Sequence, residues 1–188
     1  LAGEISPSGR LPISIEARPE DNPAYDNYYV EEPMTKRGHS TLNVTYGEGI
    51  FVGYRGYEKN GVSPLYPFGY GLTYTSFEYS DLMVSEKGDG VDVTLTVTNT
   101  GNFDAAEVVQ IYVGEDNPCV ARPAKELKGY DKVFIPKGES AVVTVRLPRS
   151  AFAFYDVDIH DWRINPGSFT IMVGASSQDI KLKEHIIL

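Results

Sequence analysis

A pattern of alternating apolar and polar residues begins after Phe77. Between Val91 and Thr98, valine and leucine alternate with aspartate and threonine, which gives one apolar and one polar face. Similar runs follow, separated by turn clusters rich in Gly, Asn, Asp and Pro, at residues 107–113, 127–135, 142–147, 168–173 and 179–182. About seven short strands without a helical period between them are typical of an antiparallel β-sandwich. The pattern therefore predicts a mainly β, antiparallel sandwich over residues 76–188.

The alternation also predicts which side chains form the core of this sandwich. They are the apolar members of each run, because residues two apart in a strand share a face. The predicted inward set is Val91, Val93, Leu95, Val97, Val109, Ile111, Val113, Val143, Val145, Leu147, Phe169, Ile171 and Val173.

The first 75 residues have a different composition. They hold 9 of the 13 tyrosines, 7 of the 12 prolines and 10 of the 18 glycines, a density of turn formers that disfavours any long helix or continuous ladder. Loops of this kind rarely bury enough apolar surface to fold alone. We therefore expect residues 1–75 to be partly disordered, to pack against the sandwich, or to join copies of the chain. Tyr66, Phe68 and Tyr70 are the expected anchors, because Pro67 and Gly69 favour a tight turn there.

Charge and length exclude several classes of protein. A formal net charge of −9 repels phosphate backbones and anionic lipid, so neither nucleic acid nor a membrane is an expected partner. No apolar run approaches the roughly 20 residues of a membrane helix. The one cysteine, Cys119, cannot form an internal disulfide. The compartment stays open between secreted, periplasmic and cytoplasmic.

Several motifs resemble glycoside hydrolase family 3, the β-glucosidases and β-xylosidases. Residues 6–12 (SPSGRLP) resemble its NPSGRLP loop, and residues 46–55 (YGEGIFVGYR) with 64–75 (PLYPFGYGLTYT) resemble its EGIFVGYR and PLFPFGYGLSYT signature. The second half is similar to the fibronectin type III-like domain that ends many members, which implies an immunoglobulin/fibronectin type III-like antiparallel β-sandwich over residues 76–188. The similar segments there are residues 99–101, 107–113, 122–129 and 174–180.

This resemblance implies that residues 1–75 are the end of the family's α/β sandwich domain. The segment Leu1–Ile5 resembles a start inside the last part of that domain. The barrel with its Asp nucleophile and the segment with the acid/base carboxylate are then missing. Because a retaining glycosidase needs both carboxyl groups about 5 Å apart, we expect the isolated chain to be inert. The expected partners are the upstream catalytic domains and, through them, an oligosaccharide or aryl β-glycoside.

Several polar residues are of types that carry chemistry in other proteins. Carboxylates among aromatic residues suit a sugar site, but no spacing rule pairs them, so solvated or ion-paired loops are favoured. Arg55 is expected to clamp a loop or a carboxylate. The carboxylates concerned are Asp26, Glu31, Glu48 and Glu58.

The sequence offers little support for a metal site or a catalytic nucleophile. Asp156, Asp158, His160 and Asp161 lack an EF-hand pattern and predict a polar turn before Trp162, while His39, His160 and His185 have no zinc spacing. Ser6, Ser8, Ser140 and Cys119 lack the setting of a nucleophile. Residues 43–45 form an N-glycosylation sequon, which matters only in a eukaryotic secretory pathway. No metal and no cofactor are expected.

Three functions remain open from the sequence. The first is the C-terminal part of a retaining β-glycosidase that cleaves terminal β-D-glucosyl residues, with this part supporting the catalytic domains. The second is a carbohydrate-binding or protein-interaction module, which stacked aromatics in a groove would favour over a flat patch. The third is a rearranged gene with the barrel elsewhere. The candidates for docking to other domains are Tyr54, Arg55, Tyr57, Tyr66, Phe68 and Tyr70.

Overall fold

The computed structural model describes residues 3–28 and 45–188, apart from the side chain of Tyr28. Two antiparallel sheets and a small hairpin form its second half. One sheet has the order β1-β2-β5, the other the order β4-β3-β8-β9, and β6 pairs with β7. The strands are β1 Phe77–Lys87, β2 Gly90–Asn99, β3 Ala105–Glu115, β4 Glu126–Ile135, β5 Ser140–Pro148, β6 Phe154–Asp156, β7 Asp161–Arg163, β8 Ser168–Gly174 and β9 Ile180–Ile187.

The core lies between the two larger sheets and confirms the predicted fold class. All thirteen predicted inward side chains are buried, and Leu95 at the centre of β2 is 1% exposed. Phe152, in a 3₁₀ turn at Arg149–Phe152, adds its ring edge-on to Phe169 at 5.3 Å. The alternation specifies this core because a shift of one residue would turn every apolar side chain to the opposite face.

The strand that the alternation did not reveal is β1. Its register shifts between Ser80 and Met83, where Asp81 adopts a positive φ of 55°. Tyr79 therefore faces the core before the bulge, whereas Leu82 and Val84 pack against it afterwards. A bulge changes the parity of the inward positions, so a search for strict period two does not detect the strand.

The β6–β7 hairpin is the second departure from the predicted pattern. The expected polar turn at residues 157–160 is present, but it joins two three-residue strands. His160 in this turn has a positive φ of 53°. Strands this short contain too few positions for alternation to be recognised.

The residues before β1, called here the loop segment (described residues 3–28 and 45–75), have little regular structure. They contain a 3₁₀ turn at Pro19–Asp21 and the helices α1 (Tyr25–Tyr28) and α2 (Tyr54–Asn60). Helix α2 ends at Gly61, whose left-handed conformation lets its amide donate to the Glu58 carbonyl at 3.1 Å. In the described residues, no helix is both long and apolar enough to cross a membrane.

Candidate functional site

The loop segment packs on the outer face of the four-stranded sheet, and we call this contact the seam. The Gln110 side-chain amide on β3 donates to the Gly69 carbonyl at 3.1 Å and to the Ala175 carbonyl at 2.7 Å. The Ser177 amide donates to the Phe68 carbonyl at 2.9 Å. These bonds satisfy buried polar groups of both partners, so the seam has a defined register.

Glycine is required at one point of the seam. Gly69 has a φ of +81°, and a Cβ built there would lie 2.0 Å from the Gln110 Oε1 atom. Any larger residue would therefore combine backbone strain with a collision against a buried amide.

Aromatic side chains fill the other end of the seam. The Tyr54 ring stacks on Phe68 at 4.9 Å and meets Tyr112 edge-on at 6.1 Å. Its hydroxyl accepts a hydrogen bond from the Leu127 amide at 2.9 Å. Burial raises the pKa of the Tyr112 hydroxyl, which donates to Gln110 at 2.6 Å. The rings thus cover the sheet while their polar ends remain bonded.

A buried ion pair joins the loop segment to the open end of the sandwich. Arg10 reaches between the sheets and forms a salt bridge with Glu107, which is 2% exposed. Burial raises the pKa of Glu107, although Arg10 and the Val108 amide act in the opposite direction. The Tyr79 hydroxyl lies beside this pair, and burial together with the Glu107 charge raises its pKa. A buried carboxyl with a raised pKa suggests acid/base chemistry, but the enclosure of Glu107 keeps it from a substrate.

The second feature is a cleft of about 850 Å³ between the start of α2, residues 119–128 and the β6–β7 hairpin. A network of charges forms its floor. The Glu126 carboxylate contacts Arg55 at 3.1 Å, Arg122 at 3.1 Å and Lys128 at 3.4 Å. Burial alone would raise the pKa of Glu126, but these cations outweigh it and the pKa is lowered. Glu126 is therefore ionised at neutral pH and is not poised as a general acid.

Two aromatic side chains border this cleft on the hairpin. Tyr155 and Trp162 are cross-strand partners with ring centroids 5.8 Å apart and planes at 78°. They are 49% and 66% exposed. The sequence predicts a polar turn in this region and does not predict the aromatic pair. The available signal was an aromatic residue on each side of a short polar turn.

The structure distributes the six predicted docking residues over three environments. Three face inward: Tyr54 and Phe68 lie in the seam, while Tyr57 is 2% exposed and its pKa is raised to about 12 by burial and by Glu16. Arg55 lines the cleft. Tyr66 is 40% exposed, exchanges backbone hydrogen bonds with Ile15, and lies 5.1 Å from the half-buried Tyr70 ring.

The predicted carboxylates are not brought together. Glu58 pairs with Lys125 across the seam, and Glu48 accepts from Asn27 at 2.6 Å. Asp26 is exposed in α1. Glu31 lies outside the described residues, as do His39, Asn43 and Val44 of the other sequence-based candidates.

The remaining candidates have structural partners. Asp156 pairs with Arg163 at 3.0 Å, and exposed Cys119 accepts from the Asn165 amide at 2.9 Å. Ser6 is bonded to Thr73, and Ser140 to Thr98. Ser8 is half-buried beside Arg10, and Asp158 and Asp161 lie in the hairpin. Over residues 3–28 and 45–188, no three His, Cys, Asp or Glu side chains are grouped so as to hold a metal ion.

One cluster contains the residue types of a catalytic triad. Asp116 accepts from Ser168 and Thr170 at 2.5 Å each, and lies 3.4 Å from the His185 Nδ1 atom. The hydroxyl hydrogen bonds from Ser168 and Thr170 lower the pKa of Asp116. Because Ser168 donates to the carboxylate and not to the imidazole, the histidine does not act as its base.

The chain is similar to proteins of known family. Residues 107–177 match the fibronectin type III-like domain family. The chain is 43% identical over 99% of its length to thermostable β-glucosidase B of Acetivibrio thermocellus, and covers 24% of that protein. It superimposes on the crystal structure of a GH3 β-glucosidase of Bifidobacterium adolescentis with a TM-score of 0.88 and 43% identity, covering 99% of this chain and 26% of that one. The chain corresponds to the C-terminal region of family 3 β-glucosidases.

This correspondence confirms the resemblance identified from the sequence motifs. The chain spans about a quarter of the length of these relatives, which are larger enzymes. Another relative of similar identity has a different name: the exo-α-(1→6)-L-arabinopyranosidase of Bifidobacterium breve is 46% identical over 96% of this chain, which covers 23% of that protein.

Proposed function

We propose that this chain supports the catalytic domains of a retaining β-glycosidase, which hydrolyses terminal non-reducing β-D-glucosyl residues. The two catalytic carboxylates then lie in the remaining part of the enzyme, outside the region that this chain matches. The support for this proposal is the similarity of the whole chain to the C-terminal region of β-glucosidases.

The observation that carries the docking role is the outer surface of the loop segment. Its inner surface is fixed to the sandwich at the seam, while nine large apolar side chains remain exposed. They are Ile5, Ile13, Tyr46, Ile50, Val52, Leu65, Tyr66, Leu72 and Tyr74. Two of them, Tyr66 and Leu72, line a groove of about 560 Å³ together with Pro7, Leu11 and Ile15. An exposed groove lined by apolar side chains is typical of an interface.

The rest of the enzyme is the proposed occupant of this surface. About three quarters of the length of each relative lies outside the matched region. Those upstream domains are large enough to cover the groove. The relatives of similar identity are named for different sugars, a β-glucoside and an α-L-arabinopyranoside. We infer that sugar specificity is determined outside this region and that this region has a common supporting role.

A chimera tests the proposal. The matched region of the Bifidobacterium adolescentis enzyme is replaced by this chain, and hydrolysis of an aryl β-glucoside is measured beside the isolated chain. We expect the chimera to be active and the isolated chain to be inactive. Leu72→Asp should reduce the yield of active chimera, because a charge would enter the proposed contact, whereas Val142→Asp on the exposed face of β5 should not.

Two results would overturn the proposal. One is turnover by the pure isolated chain within a few fold of the complete enzyme, which would place catalysis in this chain. The other is an assembled chimera in which Leu72→Asp has no effect on stability or activity. Self-association of the isolated chain, if it uses the same surface, should be abolished by the same substitution.

A further inference from the structure

The β6–β7 hairpin and the cleft beside it form a site at the edge of the seam, apart from the groove of the loop segment. We propose that this site binds a neutral carbohydrate, with Trp162 and Tyr155 as the surface on which a sugar ring stacks. Binding is a property of this chain alone and does not depend on the catalytic role proposed above.

Contacts of neighbouring residues hold the backbone that carries the aromatic pair. Arg163, next to Trp162, contacts Asp156 at 3.0 Å and lies 5.2 Å above the buried Phe154 ring. The Asp156 carboxylate also accepts from the Asp158 amide at 3.0 Å, which fixes the start of the turn. Aromatic surface that is already ordered loses little conformational entropy when a ligand binds.

The size and lining of the cleft suit a small ligand. A volume of about 850 Å³ lies within the usual range of roughly 300 to 1,000 Å³ for ligand sites. Aromatic faces contact the C–H surface of a pyranose, while carboxylates accept hydrogen bonds from its hydroxyls and guanidinium groups donate to them. Tyr155 and Trp162 supply the first kind of contact, and Asp156 and Arg163, at adjacent positions of the two strands, also line the cleft.

The charges indicate that the ligand is neutral. Four cations line the cleft, but each is paired with an acid: Arg55, Arg122 and Lys128 contact Glu126, and Arg163 contacts Asp156. A phosphate or carboxylate ligand would have to compete with these pairs in a chain of net charge −9. A polyol can bond to the same groups without displacing them.

The charged floor also distinguishes this site from a protein interface. The buried centre of protein–protein contacts is depleted in charged residues. Here the lining includes the Arg122 and Glu126 side chains, which are 6% and 14% exposed, beside the buried Phe154. The exposed Val157 and Ile159 lie in the turn between the two strands, so docking of a protein there is the competing outcome of the test.

The test uses Trp162 as its own reporter, because it is the only tryptophan in the chain. The full chain is titrated with cellobiose and with laminaribiose, and with sorbitol as a polyol without a sugar ring. We expect a saturable change in tryptophan emission with a Kd on the order of millimolar for at least one disaccharide, and none for sorbitol. Tyr155→Ala should weaken binding about tenfold, at the upper end of a single aromatic contact.

Two further variants keep the test decisive. Trp162→Ala, followed by calorimetry, should abolish binding, whereas Tyr130→Ala, at an exposed tyrosine on β4 that does not line the cleft, should leave it unchanged. Circular dichroism confirms that each variant is folded. The proposal is overturned if no disaccharide gives a saturable signal, or if Tyr155→Ala binds as tightly as the unaltered chain. It is also overturned if Trp162→Ala weakens only the assembly of the chimera, which would assign the hairpin to protein docking.

Discussion

The sandwich and the loop segment are stabilised in different ways. The sandwich has a continuous core of apolar side chains contributed by both of its sheets. In the loop segment, Tyr57 is the one large apolar side chain among the described residues that is fully buried. The segment is held instead by polar contacts and aromatic rings at the seam. An element without a core can keep one conformation when specific hydrogen bonds fix it to an element that has one.

The largest effect is expected at the ion pair that joins the two regions. Replacing Arg10 by Met leaves Glu107 buried without its partner, a change that typically costs about 3 to 5 kcal/mol. Urea unfolding should show this loss at neutral pH. The matched control is Arg18→Met, because Arg18 belongs to the same segment but is exposed and should leave stability nearly unchanged.

The pH dependence of this variant follows from the direction of the Glu107 shift. Its folded-state pKa is raised above the ordinary 4.5, so the folded protein binds more protons than the unfolded chain between the two values. The free energy of unfolding therefore falls as pH rises between the two pKa values. Because Arg10 acts to lower the pKa of Glu107, its loss widens this pH range. Arg10→Met should be closest to the unaltered protein in acid. Glu107→Gln in the same background should restore stability and remove the pH dependence. An equal loss at every pH would contradict this account.

A core substitution in the sandwich comes next. Leu95→Ala should cost about 2 to 5 kcal/mol, the range for removing a large buried side chain. Thr96→Ala, on the opposite face of the same strand, should cost less than about 1 kcal/mol. Chemical denaturation measures the free energy of unfolding of both variants. A small loss for Leu95→Ala would show that β2 does not contribute to the core.

A glycine substitution should separate the two regions from each other. Gly69→Ala combines a positive φ with the collision at Gln110, and we expect a loss of about 1 to 3 kcal/mol concentrated at the seam. Gly61→Ala has a similar φ of +64° but open space around its Cβ position, so it isolates the backbone strain. Amide exchange should speed up in the loop segment of Gly69→Ala while the sandwich strands stay protected. Equal loss of protection in both regions would mean that they unfold as one unit.

The smallest effect is expected on the outer surface of the loop segment. Leu72→Ser replaces a side chain that is 65% exposed, so the unfolding free energy of the chain should change by no more than about 0.5 kcal/mol. The same change should lower the stability of the chimera, where the surface is proposed to be covered. Thermal unfolding of the chain and of the chimera measures the difference, and equal effects in both would argue against docking.

The local pattern of the sequence determined the sandwich. Strands β2 and β5 repeat apolar residues at every second position, and β3 does so from Val109 to Val113. Backbone geometry alone assigns those residues to one face. The five predicted runs after β2 lie within, or within a residue of, β3, β4, β5, β8 and β9, although β9 continues to Ile187. The pattern failed where geometry breaks the period, at the bulge of β1, and where strands are too short, in the β6–β7 hairpin.

The candidate sites were decided by the tertiary structure. Arg10 and Glu107 are 97 residues apart, and Gln110 meets the Gly69 carbonyl across 41 positions. No spacing rule links such residues, because their distance depends on how the chain crosses the sheet and not on local periodicity. Composition identified the loop segment as a region that needs a partner. Only the packing shows that Tyr54, Tyr57 and Phe68 are used internally, and that Tyr155 and Trp162 are brought to the edge of a charged cleft.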